Sequence, residues 1–156
     1  MTVVKEACVD NIQDAINAFK KGADRIEFCS NLDEDGLTPS NYDLISLKKS
    51  ISIPVRVMVR PHSNSFNYND DDLIQMKETI EFCKNQKFDG VVFGCLDDNN
   101  ELDLNKIKYL ADFAKPLNVI IHKAIDLTSS PVNSLKKLLE IDTVSYTHLT
   151  LPTTDR

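Results

Sequence analysis

Residues 55–61 read VRVMVRP. In a β-strand, side chains alternate between two faces, which puts Val55, Val57 and Val59 on one side and Arg56, Met58 and Arg60 on the other. A doubly wound parallel sheet buries both strand faces under helices and needs continuous apolar runs. Here one face suits helices and the other suits a polar interior. The lumen of a closed barrel of strands is such an interior.

The same alternation recurs on either side of this stretch. Strands are expected at VKEACV (4–9), RIEFCS (25–30), VRVMVR (55–60), GVVFGCL (90–96) and NVIIHKA (118–124). The segments between them have helical spacing. Residues 11–21 place Ile12, Ala15, Ile16 and Phe19 on one stripe and stop at Gly22. Ser40 is the expected cap of a second helix with Leu44 and Leu47 inward, and Asp70 of a third carrying Leu73, Met76, Ile80 and Cys83. Residues 104–114 align Ile107, Leu110, Ala111 and Ala114, and Ser130 with Pro131 opens a fifth helix. Five βα units in a row predict a parallel sheet, and the polar strand face makes an α/β barrel the expected architecture. The helix-to-strand connections are short. The strand-to-helix connections NLDEDGLTPS, PHSNSFNYNDD and DDNNELD are long and polar, so function is expected there, at the C-terminal ends of the strands.

Composition narrows the function classes. The chain has 156 residues, 42% hydrophobic and 27% charged, enough for one domain with a core. A net charge of -6 opposes broad binding to nucleic acid or anionic lipid, both of which need clustered Lys and Arg. No apolar run approaches the roughly 18 residues of a membrane span, and MTVVKEACVD lacks the apolar core of a signal peptide, so the expected compartment is the cytoplasm. There, Cys8, Cys29, Cys83 and Cys95 are expected as thiols, and their spacing matches no CxxC zinc pattern. No P-loop, GxGxxG, HExxH or GxSxG motif occurs.

Applied throughout, the alternation gives an inner set: Glu6 and Cys8; Arg25, Glu27 and Cys29; Arg56, Met58 and Arg60; Phe93 and Cys95; and His122. Buried charges cost several kcal/mol each unless paired, so this set predicts mutual ion pairing or a ligand. Glu6, Arg25, Glu27 and Arg56 suit a bracing network, while Arg60 and His122 stand at strand ends where chemistry is expected. Cys8, Cys29 and Cys95 share the inferred face, and converging thiolates with the thioether of Met58, or with His122, would select Cu(I). Cys83, on a helical stripe, reads as core.

Four motifs in order, GADRIEFCSNLDEDGLTPS, IPVRVMVRP, DGVVFGCLD and VIIHKAID, resemble the CutC family, called copper homeostasis proteins, from about Val4 to about Thr143. The resemblance implies a cytoplasmic (β/α)8 barrel and Cu(I) binding by cysteine. It aligns Cys29 with the thiol of the family's ELCS strand, and Arg25, Glu27, Arg60, His122 and Asp126 with its polar strand-end positions. The chain has RPHSNSF where the family continues RPRGGDF, and HKAID where it has HRAFD, so Lys123 replaces a planar arginine fork with a point charge. Two functions stay open. One is copper binding through Cys29, Cys8 and Cys95. The other is an enzyme in which Arg25, Arg60, Lys123 and Asp126 hold a small anionic substrate while Glu27 and His122 act as acid and base. An interaction protein without chemistry is a third.

A complete barrel of this type takes about 250 residues. The expected domain is therefore a partial barrel over residues 1–143, five βα units and the start of a sixth strand. SYTHLTLPTTDR follows, and residues 144–156 are expected to be a non-native tail. The unclosed sheet predicts low stability or self-association, and the intact parent is a candidate homo-oligomer.

Overall fold

The structure, a computed structural model, describes residues 3–141 and the backbone of residues 144–146. Strands and helices alternate: β1 (Glu6–Val9), α1 (Ile12–Lys20), β2 (Arg25–Phe28), α2 (Asn41–Ser50), β3 (Val55–Met58), α3 (Asp70–Asn85), β4 (Gly90–Phe93), α4 (Leu104–Ala114), β5 (Asn118–Ile121), α5 (Pro131–Leu138) and β6 (Val144–Tyr146). All six strands form one parallel sheet in the order β1-β2-β3-β4-β5-β6. Doubly wound sheets reverse direction part-way. This order advances by one neighbour throughout, as in a barrel, and the architecture is that of a partial TIM barrel. No described helix is long and apolar enough to cross a membrane. The segment 147–156, within the expected tail, lies outside the described residues; β6, which the expected boundary also assigned to it, is paired with β5.

The helix-facing side is one continuous core. Ile26, Phe28, Val57, Val91, Phe93, Val119 and Ile121 of the strands pack against Ala15, Leu44, Leu47, Met76, Ile80, Ile107 and Leu110 of the helices. Each buried aliphatic side chain contributes about 1.5–3 kcal/mol. The inner face carries a second, smaller apolar group of Cys29, Met58, Val92 and Ile120.

That inner group corrects one expectation. Phe93 and Cys95 face the helices, and Val92 takes the lumen position, opposite Met58 and Ile120 in register. β4 is apolar on both faces, so polarity could not show which side was which. Its glycines could have: a Cβ on Gly94 would stand 2.9 Å from the His122 ring, and one on Gly90 2.7 Å from the Asn118 carbonyl oxygen. Small residues mark the side where neighbours crowd the backbone.

Element ends also differ from expectation. Asn69, not Asp70, caps α3: its side chain accepts from the Asp72 N–H at 2.9 Å, and the Asp72 carboxylate accepts from the Asn69 N–H at 3.0 Å. This reciprocal pairing satisfies two N–H groups at once, which no cap at Asp70 could do. Ser40 caps α2 as expected, while Ser130 precedes Pro131 without a side-chain capping bond. The fifth strand stops at Ile121, and Lys123–Leu127 forms a short 3-10 helix with His122 at its N-cap.

Candidate functional site

The inner face is built in two layers. Nearer the N-terminal ends of the strands lies a chain of ion pairs. Arg25 pairs with Glu6, Arg56 reaches Glu6 at 3.4 Å, and Arg56 also reaches Asp89 at 3.2 Å. Arg56 is nearly buried, so these partners are what make its charge tolerable there. Glu6, Arg25 and Arg56, three of the four residues expected to brace the interior, thus pair with one another and with Asp89, while the fourth, Glu27, lines the layer above; Arg25 is engaged in the bracing layer.

Nearer the C-terminal ends, Cys8, Glu27, Cys29, Met58, His122 and Lys123 line a pocket of about 200 Å³, closed by Leu32, Asp35 and Phe66. Cys8 and Glu27 are register partners on β1 and β2, and Cys29 follows one pleat beyond. Cys8 Sγ lies 3.7 Å from Glu27 Oε1, and Cys29 Sγ lies 3.6 Å from the Val9 carbonyl oxygen. The two thiols act as one unit. A hydrogen bond from Cys8 holds the Cys29 thiol below its ordinary range, and the same bond, with burial and the Glu27 charge, drives Cys8 up. Met58 adjoins them: a Cβ on Gly36 would meet Cys29 Sγ at 3.2 Å and Met58 Cε at 3.6 Å, so only a glycine lets this loop cross so close.

Cys95 stands apart, buried among helix-facing residues, where desolvation pushes its thiol up to about 12. Cys83 is likewise core, pushed up to about 12 by burial. Among the described residues, no group of three or more His, Cys, Asp or Glu side chains could hold a metal ion. The available donors are two thiols and one thioether, a soft, low-coordinate set.

His122 is 4% exposed. Its Nδ1 accepts the Ala124 N–H at 3.2 Å, which fixes the neutral tautomer with the proton on Nε2. That Nε2 is buried and has no partner among the described residues, a situation that costs about 1–3 kcal/mol. Burial first, then the Arg60 charge, lower its pKa to about 4, so the ring is neutral at physiological pH. With Nδ1 engaged and Nε2 protonated, it is a donor and not a metal ligand.

Arg60 is also 4% exposed. Its guanidinium donates to the main-chain oxygens of Glu34, Gly36 and Ser63, at 2.7, 3.2 and 3.3 Å. It lies 4.5 Å from the Phe66 ring centroid, and the other partner of that ring is His122, at 4.9 Å. Lys123 pairs with Asp35, and Asp126 is exposed on the 3-10 helix outside the pocket lining. Phe66 and Asp35 escaped the sequence reading. The only signal for Phe66 was a large apolar side chain inside an otherwise polar loop, and for Asp35 there was none.

A larger open cleft of about 780 Å³ sits among the helix-to-strand turns beside Ser52 and Phe88, and contains none of the candidate copper, substrate or acid–base residues.

The CutC family model matches residues 3–146. The chain belongs to the CutC family. It is 41% identical over 136 residues to a copper homeostasis protein cutC homolog of Homo sapiens, covering 87% of this chain and 50% of that protein. A family protein CutC of Parabacteroides distasonis is 35% identical over 142 residues, covering 90% and 58%. The crystal structure of the putative copper homeostasis protein CutC of Streptococcus agalactiae superposes with a TM-score of 0.83 at 30% identity, covering 93% of this chain and 71% of that one. The chain spans about half the length of the curated relatives it matches. Its described strands and helices therefore follow a CutC barrel from β1 to β6.

Proposed function

We propose that this CutC chain acts in copper homeostasis in the cytoplasm, binding Cu(I) between the Cys8 and Cys29 sulfurs with the Met58 thioether beside them. The observation that carries the reading is the thiol pair: one sulfur on β1 and one just past the end of its neighbour β2, in one pocket with a thioether. Soft sulfur donors select a soft monovalent ion. The ion takes the place of the thiol protons, so binding releases protons and tightens as pH rises. Relatives named for copper homeostasis support the same reading.

The acid–base alternative has less support from this pocket. A base needs a free lone pair, and His122 has Nδ1 engaged and Nε2 protonated. An acid near neutral pH needs a proton it can release, and the neutral ring is a poor one.

Anaerobic Cu(I) titration against a competing chelator tests the proposal. Cys8→Ser and Cys29→Ser should each weaken binding by more than about tenfold, a scale on which even outer-shell changes act. Cys95→Ala should leave it unchanged. Unaltered affinity in Cys29→Ser would discard the thiol site.

A further inference from the structure

The copper reading uses the sulfurs and leaves the other half of the pocket without a role. There, the His122 ring lines the pocket, and its Nε2–H is buried with no acceptor among the described residues. What it lacks is an oxygen or another lone-pair atom, since the Ala124 N–H already fixes the tautomer as a donor.

A second, independent feature gives the charge of that acceptor. The Arg60 guanidinium is buried, and its hydrogen bonds go to uncharged main-chain oxygens. Among the described residues it makes no ion pair. The carboxylates of Glu34 and Asp35 feel its charge from beyond salt-bridge distance, so the buried cation is only partly balanced and favours a further negative group. Arg60 and His122 pack on the same Phe66 ring, so that charge is felt at the imidazole. Lys123 adds a second positive charge at the rim, partly spent on Asp35.

Size and lining restrict the ligand further. A volume of about 200 Å³ equals roughly seven waters, which admits only a handful of heavy atoms. Leu32, Met58 and Phe66 offer apolar wall, while Glu27 and Asp35 oppose a dianion. A phosphate would need more donors than this wall supplies.

We propose that the pocket binds a short-chain monocarboxylate, one carboxylate oxygen accepting the His122 Nε2–H and the tail lying against Leu32, Met58 and Phe66. The site shares its pocket with the sulfur pair but uses a different donor, and it works without copper.

The test is a titration of the copper-free chain, in the presence of a Cu(I) chelator, with sodium butyrate, followed by imidazole ¹H–¹⁵N correlation spectra. Butyrate should bind saturably and shift the His122 Nε2 proton downfield. Butyramide, the neutral isostere, should bind at least about tenfold more weakly, the scale of a charge-assisted hydrogen bond. His122→Phe should lose butyrate by a similar factor, and His122→Gln, which keeps a side-chain N–H donor, should recover part of it. The titration contains no available copper, so loss of Cu(I) binding in the thiol variants leaves this result untouched and the copper and carboxylate readings fail separately. Equal affinity for butyrate and butyramide would overturn the proposal without any variant. So would an unshifted Nε2 proton, undiminished binding in His122→Phe, or inorganic phosphate binding more tightly than butyrate.

Discussion

Acidification should destabilise this chain through His122, beginning below about pH 6.5. The ring's pKa is lowered from the ordinary 6.5 to about 4, chiefly by burial. The groups that face it are Arg60 and Lys123, which lower it further, and Glu27, which raises it. Between the two values the unfolded chain binds a proton that the folded chain refuses. Stability is therefore full above about pH 6.5 and declines as pH falls toward 4. The linkage relation gives a loss of about 2 kcal/mol at pH 5 and about 3 kcal/mol below pH 4. With the ring almost wholly buried, solvent screening removes little of this. Urea unfolding at pH 7.5 and pH 5.0 measures the loss in the native chain and in His122→Gln, which has no imidazole to titrate. The native chain should lose about 2 kcal/mol more than the variant over that interval. Equal losses would refute the reasoning, because the proton would then be entering elsewhere.

Two further expectations concern packing and capping. Gly94→Ala would place a Cβ 2.9 Å from the His122 ring and 3.1 Å from Ala124 Cβ. Neither neighbour has a flexible end to move, so about 1–3 kcal/mol of destabilisation is expected in the urea midpoint, and an unchanged midpoint would mean the ring can shift freely. Asn69→Ala should cost about 1 kcal/mol by removing the reciprocal cap of α3, whereas Asp70→Ala should cost less than half of that, and equal effects in thermal unfolding would contradict the cap assignment.

How much of this was legible depended on how strongly each residue's chemistry contrasts with its surroundings. The βα repeat was legible because VRVMVR and RIEFC alternate charged and apolar side chains, and because Leu44 and Leu47, or Ile107, Leu110 and Ala111, recur at helical spacing. Glu6, Arg25 and Arg56 were readable for the same reason, since a charge on a strand must find a partner. Cys8, Cys29 and Met58 were placed together by parity alone. Parity failed at Phe93 and Cys95, where both faces are apolar and only the spacing of Gly90 and Gly94 held the answer. The pairing of Phe66 with Arg60 and His122 was not legible, because it depends on how a polar loop folds back over the strand ends. No periodicity constrains such a loop.

The chain of ion pairs from Arg25 through Glu6 and Arg56 to Asp89 ties together β2, β1, β3 and the residue that leads into β4. Because strand side chains alternate, sliding one strand by a single residue would swing its charge into the layer of valines and isoleucines under the helices. An unpaired charge there costs several kcal/mol, far more than the net gain from any one pair in place. These residues therefore act mainly by penalising wrong alignments. In a fold made by repeating one short unit, neighbouring strands look alike to one another, and the charged layer is what gives β1, β2 and β3 separate identities during assembly.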